Sequence, residues 1–218
     1  MKHAVSDPAG HIPSRQLAPR ELLAPDDACQ LWRVAAGALR IDSALPGEAT
    51  RFVRLALPGD VVGVEQWVGT RDSLSLRALM ASTLTPVLAT GEPMMRILMD
   101  TVVSAHQRSR EAMELRTGPV AQRVKALLLM LARAKSALAG SEVPVVDCVV
   151  PQLSDMSDIL DAAPETVSRV FASMRELDFL QDRRPQKARF SSRVLKELEM
   201  VAGMSAVHRP RKLQIAGL

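Results

Sequence analysis

The fold is decided by residues 154–177, SDMSDILDAAPETVSRVFASMREL. Two segments of this stretch, residues 154–160 and 164–177, have helical periodicity, and only Asp161-Ala162-Ala163 separates them. Two helices joined by a three-residue turn are typical of a helix-turn-helix, which places its second helix in the major groove of DNA. Pro164 suits the first turn of that second helix, because its φ angle is already helical.

The residues around this stretch predict a wing. VPVVDCVV, residues 143–150, indicates a strand, and DRRPQKARF, residues 182–190, indicates a β-hairpin. A last helix is predicted over residues 192–204, with a basic tail after it. Residues 182–218 hold nine Lys or Arg against three Asp or Glu in a chain of net charge +4. A solvated surface is the alternative interpretation, but the wing position favours contact of Arg183, Arg184, Lys187 and Arg189 with the DNA backbone.

The first part of the chain has a different pattern, because short apolar segments alternate with turn signals. The segments include LWRV (31–34), ALRI (38–41), RFVRLAL (51–57) and SLRALMA (75–81). Strands at this spacing predict an antiparallel sandwich or barrel. RFVRLAL alternates charged and apolar residues, which predicts a strand with one wet face.

A long helix is predicted between these parts, over residues 93–116. Its residues in steps of three and four indicate the a/d seam of a coiled coil: Met95, Leu98, Val102, Ala105, Ser109 and Ala112. The alternative is an amphipathic helix that lies on its own domain. We favour a dimer interface, because small Ala and Ser side chains let two helices approach closely. Thr117-Gly118-Pro119 ends the helix, and another helix is predicted to residue 136.

This order of parts resembles the Crp–Fnr family of bacterial transcription regulators. Three motifs carry the resemblance: LWRVAAGALRI (31–41), LALPGDVVG (55–63) and AAPETVSRVFASMRELDFL (162–180). The resemblance implies an α+β fold with a cyclic-nucleotide-binding-like β-roll in residues 1–92, a dimerisation helix in 93–118 and a winged helix-turn-helix in 119–218. It implies a homodimeric transcription regulator, controlled through the roll, whose partners are double-stranded DNA and RNA polymerase.

The candidate recognition residues are Glu165, Ser168 and Arg169, which share one helix face. A carboxylate accepts a hydrogen bond from the cytosine amino group, and an arginine donates two to guanine. The alternative is an ion pair between Glu165 and Arg169 on a solvated face. Resemblance to the Fnr branch implies that the three residues read a palindromic TTGAT-like site. Hydroxyls and amides near helix starts commonly bind phosphates, which makes candidates of Gln152, Ser154 and Thr166.

One turn position departs from the family pattern. Asp161 stands where the turn of a helix-turn-helix usually has glycine. Aspartate tolerates the left-handed conformation better than most residues, so the turn is expected to form.

The effector is not identified by the sequence. The members that bind cyclic AMP carry an Arg-Ser pair for the phosphate, where this chain has Leu74-Ser75, so the ligand would lack its bidentate partner. Cys29 and Cys148 are the two cysteines, too few for an iron–sulfur cluster of the Fnr type. Haem stays open, because some family sensors bind it and His106 would lie in the dimer helix. The sequence does not assign roles to Cys29, Cys148 and His106. It also leaves open a regulator that acts without any ligand.

Composition narrows the function classes. The 218 residues are 47% hydrophobic and 24% charged, as in globular proteins. No signal-peptide-like segment or run of 18 apolar residues occurs, so we expect a cytoplasmic protein and no membrane partner. No catalytic or metal-ligand spacing is seen, so we expect neither an enzyme nor a metal site. The alternative function is a small-molecule-sensing module whose winged helix mediates protein contacts.

Overall fold

The computed structural model describes residues 13–24, 30–44, 49–64, 73–136, 145–148, 150–176, 182–184 and 187–191. Within these ranges the chain has a mixed α/β fold. The strands are β1 (Arg15–Leu17), β2 (Trp32–Ala36), β3 (Leu39–Ala44), β4 (Arg51–Ala56), β5 (Val61–Val62), β6 (Ser73–Ala78), β7 (Ser82–Pro86), β8 (Val145–Cys148), β9 (Asp182–Arg184) and β10 (Lys187–Ser191). The helices are α1 (Gly91–Glu114), α2 (Val120–Ser136), α3 (Leu153–Leu160) and α4 (Pro164–Glu176).

The first seven strands form two antiparallel sheets, with orders β1-β7-β2-β5 and β4-β3-β6. The core between them is apolar and includes Trp32, Val34, Ile41, Leu76 and Leu84. These residues alternate along their strands with residues that point away from it, so the two sheets bury their facing sides against each other. The arrangement agrees with the short-strand pattern of the sequence.

The wet face predicted for β4 is only partly right. Arg51 and Val53 are exposed, but Arg54 is buried. Its register partner is Ile41, whose side chain lies in the core between the sheets. A register shift next to this pair inserts Val53 as an extra residue, because Asp42 is paired with Phe52. Such a bulge breaks the alternation, so Arg54 points inward while Phe52 points outward toward the helices.

Helix α1 begins and ends two residues earlier than the 93–116 predicted from the pattern. Met94, Ile97 and Leu98 pack against Leu31 and its neighbours in the roll. A second row of apolar residues on α1 faces solvent, and it contains Met95, Met99, Val102, Val103 and Met113. No helix in the described ranges combines the length and the apolar character needed to cross a bilayer.

The C-terminal elements are close to those expected. The segments predicted over 154–160 and 164–177 are α3 and α4, and the hairpin is β9 and β10, which β8 extends to a sheet of order β8-β10-β9. One apolar cluster joins these helices to the outer face of the sheet β4-β3-β6, and it includes Phe52, Leu55, Leu115, Met156 and Phe171. The helix predicted over 192–204, the tail and Cys29 lie outside the described residues.

Candidate nucleic-acid interface

Helix α4 has one buried face and one exposed face. Val167, Phe171 and Met174 are buried in the cluster that joins the helices to the roll. Glu165, Ser168 and Arg169 are exposed together in the first two turns. Because the opposite face is anchored in the core, the helix presents these three polar side chains outward as one set.

In the part of the chain that the structure describes, the side chains of Glu165 and Arg169 form no ion pair with each other. Arg169 instead borders a groove of about 340 Å³ between α2 and α4, which Lys125, Thr166 and Ser173 also line. The groove has two cationic side chains and two hydroxyls in a lining that is otherwise apolar. Arg169, which is exposed, is a donor of the kind that suits a phosphate group or the edge of a base.

The turn before α4 has the conformation that the sequence predicts. Asp161 adopts the left-handed conformation with φ 48° and ψ 56°, and its N–H donates to the carbonyl of Ser157. Arg116 and Arg123 donate to the carbonyls that end α3, those of Asp158, Ile159 and Leu160. Cationic groups at a helix C-terminus complement its partial negative charge, so Arg116, which follows α1, and Arg123 on α2 both stabilise the end of α3.

The backbone-contact candidates lie on three elements, which are α3, α4 and the hairpin. Gln152 is the N-cap residue of α3 and makes no side-chain capping bond, and Ser154 follows it; both are exposed, while Thr166 is half-buried. In the hairpin, Arg184 is paired in register with Lys187, and Arg189 with Asp182. Arg183 lies in the same strand as Arg184. The structure therefore brings these basic positions to one short hairpin.

The residues predicted for a dimer interface lie on two sides of α1. Met95 and Val102 are exposed, and Ala105 and Ser109 are half-buried. Leu98 contacts the chain's own roll, and Ala112 is buried in its own core. A second four–three register contains the exposed residues Met95, Met99, Val102, His106 and Met113, together with half-buried Ser109. The sequence pattern contains both registers, and only the packing of the roll distinguishes them.

The roll is fastened to α1 by Asp60, a residue that the sequence motif LPGD did not mark as functional. Its buried carboxylate accepts from the Leu57 N–H (2.8 Å), from the Ser104 hydroxyl (2.7 Å) and from Arg108 Nε (2.8 Å). Burial alone lowers the pKa of Arg108, but its hydrogen bonds to Asp60 and Glu111 outweigh burial and raise the pKa above its usual value. Arg108 therefore stays charged and binds the turn of residues 57–60 through Asp60.

The residue at the family's phosphate position is half-buried. Leu74 packs against the apolar core of the roll. In the part of the chain that the structure describes, no three His, Cys, Asp or Glu residues form a group that could hold a metal ion.

The comparisons with known proteins point to one family of folds. The sequence matches no protein-family model. It also matches none of the curated proteins. A CRP-family transcriptional regulator from Thermus thermophilus has a TM-score of 0.68 at 22% identity, over 87% of this chain and 96% of that one.

Two further solved structures have a fold similar to that of this chain. A CRP/FNR-family regulator from the same organism has a TM-score of 0.66 at 18% identity, over 88% of this chain and 98% of that one. FixK2 from Bradyrhizobium japonicum has a TM-score of 0.63 at 20% identity, over 86% and 96%. The chain therefore has the fold of the CRP/FNR transcriptional regulators, the family that its motifs resemble.

Proposed function

We propose that the protein is a sequence-specific DNA-binding transcription regulator, which acts as a homodimer on a palindromic TTGAT-like site and is controlled through its β-roll by an unidentified effector. The observation that supports this most directly is the exposed set Glu165, Ser168 and Arg169 on a helix whose other face is buried. DNA would be read by the second helix of a winged helix-turn-helix, formed by α3, α4 and the hairpin.

The two kinds of DNA contact come from different elements. Arg169 donates to guanine and Glu165 accepts from cytosine, while Ser168 suits either base. Gln152, Ser154, Thr166 and the hairpin residues Arg183, Arg184, Lys187 and Arg189 contact phosphates. Phosphate contacts position the protein on the duplex, and base contacts select the sequence.

The proposed partner across α1 is a second copy of the chain. The exposed register of α1 places apolar side chains at four of its six positions, and their exposure is 60–63%. A two-fold axis brings the same residues of both copies together, so the apolar side chains of each copy would be buried against those of the other. Met95, Val102 and Ser109 of the predicted interface belong to it, with Met99, His106 and Met113; Ala105 flanks it. RNA polymerase is the further partner proposed, in the cytoplasm.

The proposed effector is not cyclic AMP, because apolar Leu74 stands where an arginine would bind the phosphate. An iron–sulfur cluster is not proposed either, and haem is left open. Calorimetric titration with cyclic AMP is expected to show no tight binding, and micromolar affinity together with a change in DNA binding would contradict this. An absorption spectrum and mass spectrometry of the purified protein would identify a bound effector.

Selection from random duplexes tests the proposed function. The wild type should enrich an inverted repeat. Arg169→Ala should cost about 1–3 kcal/mol and relax selection at the guanine. Arg184→Ala in the hairpin is the matched control, since it should weaken all sequences alike and reduce the salt slope by about one unit. Enrichment of no palindrome by the wild type would favour the small-molecule-sensing alternative with protein contacts.

A further inference from the structure

Helix α3 is bound to the β-roll by a buried group of charges. Arg77 on β6 donates from Nη2 to Asp155 Oδ1 on α3 at 2.6 Å. Arg40 on β3 donates from Nη1 to the same oxygen at 3.3 Å and to Asp158 Oδ2 at 3.0 Å, and from Nε to Asp42 at 2.6 Å. A single carboxylate oxygen of Asp155 therefore joins two strands of the roll to the helix that precedes α4.

The contact between Arg40 and Asp155 is buried, so each side chain depends on its charged partners. The side chains of Arg40 and Asp155 are 4% and 5% exposed. A carboxylate at such a depth needs charged partners, since an unpaired one would lose its hydration without compensation. Burial alone lowers the pKa of Arg40, but its contacts with Asp42 and Asp158 outweigh burial and raise the pKa above the usual value.

The end of α1 contributes to the same junction. The guanidinium groups of Arg40 and Arg116 lie over the ring of Phe52, at 5.9 and 5.3 Å from its centroid. Arg116 also donates to the carbonyls of Asp158 and Ile159. The roll, α1 and α3 thus meet at one cationic and aromatic contact.

We propose that Asp155 is a positioning residue for DNA recognition, which through Arg40 and Arg77 holds α3, and with it α4, at a set orientation on the β-roll. This rests on the proposed function. Glu165, Ser168 and Arg169 stay exposed in this docked arrangement, so it leaves the proposed DNA-reading face uncovered. A palindrome needs two recognition helices at a set separation, and a loosely held helix lowers the effective concentration at the second half-site.

Asp158 provides a matched control on the same helix. Its side chain is 60% exposed and its carboxylate is bound by Arg40, whereas buried Asp155 is bound by both arginines. Asparagine at either position keeps the size of the side chain and removes its charge. The two variants therefore compare a charge that holds the junction with a charge at its edge.

Hydrogen exchange on the full chain, without DNA, tests the docking itself. In Asp155→Asn the amides of α3 should exchange at least about tenfold faster than in the wild type, while those of β2 and β7 are unchanged. In Asp158→Asn the α3 amides should exchange more slowly than in Asp155→Asn, because Asp42 and Asp155 still hold Arg40 and the side chain of Asp158 is exposed. If Asp155→Asn does not fold, Arg77→Gln takes its place with the same expectation. Equal protection of α3 in the test variant and in Asp158→Asn would overturn the proposal.

DNA binding separates positioning from stability. The ratio of affinity for a duplex with two half-sites to that for a duplex with one should fall about tenfold in Asp155→Asn, and not in Asp158→Asn. A loss of folded protein alone would weaken both duplexes equally, and an unchanged ratio would overturn the proposal. A wild type that binds neither duplex contradicts the proposed function, while hydrogen exchange still decides whether Asp155 holds α3.

Discussion

Asp161 carries a backbone conformation that most residues avoid. Its φ angle of 48° lies in the left-handed region, where a Cβ atom costs about 1–2 kcal/mol relative to glycine. Aspartate is among the residues that enter this region most often, which explains how the turn forms without glycine.

Replacement of Asp161 should reveal this strain. Asp161→Gly should have a free energy of unfolding about 1 kcal/mol higher than Asp161→Ala, because glycine adopts positive φ without a Cβ clash. Ser173 on α4 is exposed and helical, so the order should reverse there. Ser173→Ala should have a higher free energy of unfolding than Ser173→Gly, because alanine favours a helix more than glycine does. Urea denaturation measures both pairs, and the same order at both sites would contradict the explanation.

Asp60 should matter for stability more than any exposed ion pair on α1. Asp60→Ala removes the acceptor of the Leu57 N–H and of the Ser104 hydroxyl and leaves half-buried Arg108 with Glu111 alone, so we expect a loss of about 2–4 kcal/mol. Glu92→Ala removes the exposed pair of Glu92 with Arg96 and should change nothing measurable. Chemical unfolding of both variants is the measurement, and similar values for the two would refute a specific role of Asp60.

At the scale of elements, α1 contacts the roll with one side and exposes apolar residues to solvent on the other. Residues of one side, such as Leu98, Ser104 and Arg108, contact the roll by apolar packing and by bonds to Asp60. The other side leaves its methionines and valines in solvent. An exposed apolar stripe of this length on one helix indicates an interaction surface.

A charge on the exposed side should separate the dimer. Val102→Lys should shift the protein to monomers in sedimentation analysis, because two lysines would meet in an apolar seam. Gln107→Lys adds the same charge to the same helix at an exposed position outside the register, and it should stay dimeric. Monomeric wild type at micromolar concentration, or dissociation of both variants alike, would contradict the proposed seam.

At the scale of the whole molecule, the proposed dimer sets the geometry of its DNA site. Two recognition helices related by a two-fold axis bind half-sites whose centres lie about one helical turn, roughly 34 Å, apart. One buried apolar cluster joins the roll to the C-terminal helices, so we expect each recognition helix of the proposed dimer to keep that separation.

The spacing of the half-sites should therefore be selected. Insertion of about five base pairs turns the second half-site to the opposite face of the duplex, so affinity should fall to the level of a single half-site. Insertion of a full turn of about ten base pairs keeps the face and is the control for added length. Gel-shift titration measures the three duplexes, and equal affinity for all would show that each half-site is bound independently.

The sequence by itself determined the local elements. The bounds of α3 and α4 and the hairpin of β9 and β10 differ little from those predicted, and Asp161 takes the conformation expected of it. Periodicity, a helix-starting proline and turn residues act over a few positions, so they can be read from neighbours in the chain. The set Glu165, Ser168 and Arg169 was predicted for the same reason, because i, i+3 and i+4 share a helix face.

Tertiary structure alone decided which polar residues are buried and which apolar residues are exposed. Arg40 is buried on β3, and its guanidinium pairs with Asp155, 115 residues away, which no local pattern indicates. The two registers of α1 differ only by which one the roll covers, and a bulge in the pairing of β3 with β4 turned Arg54 inward. Burial depends on what packs on a face, and the covering residues come from distant parts of the chain.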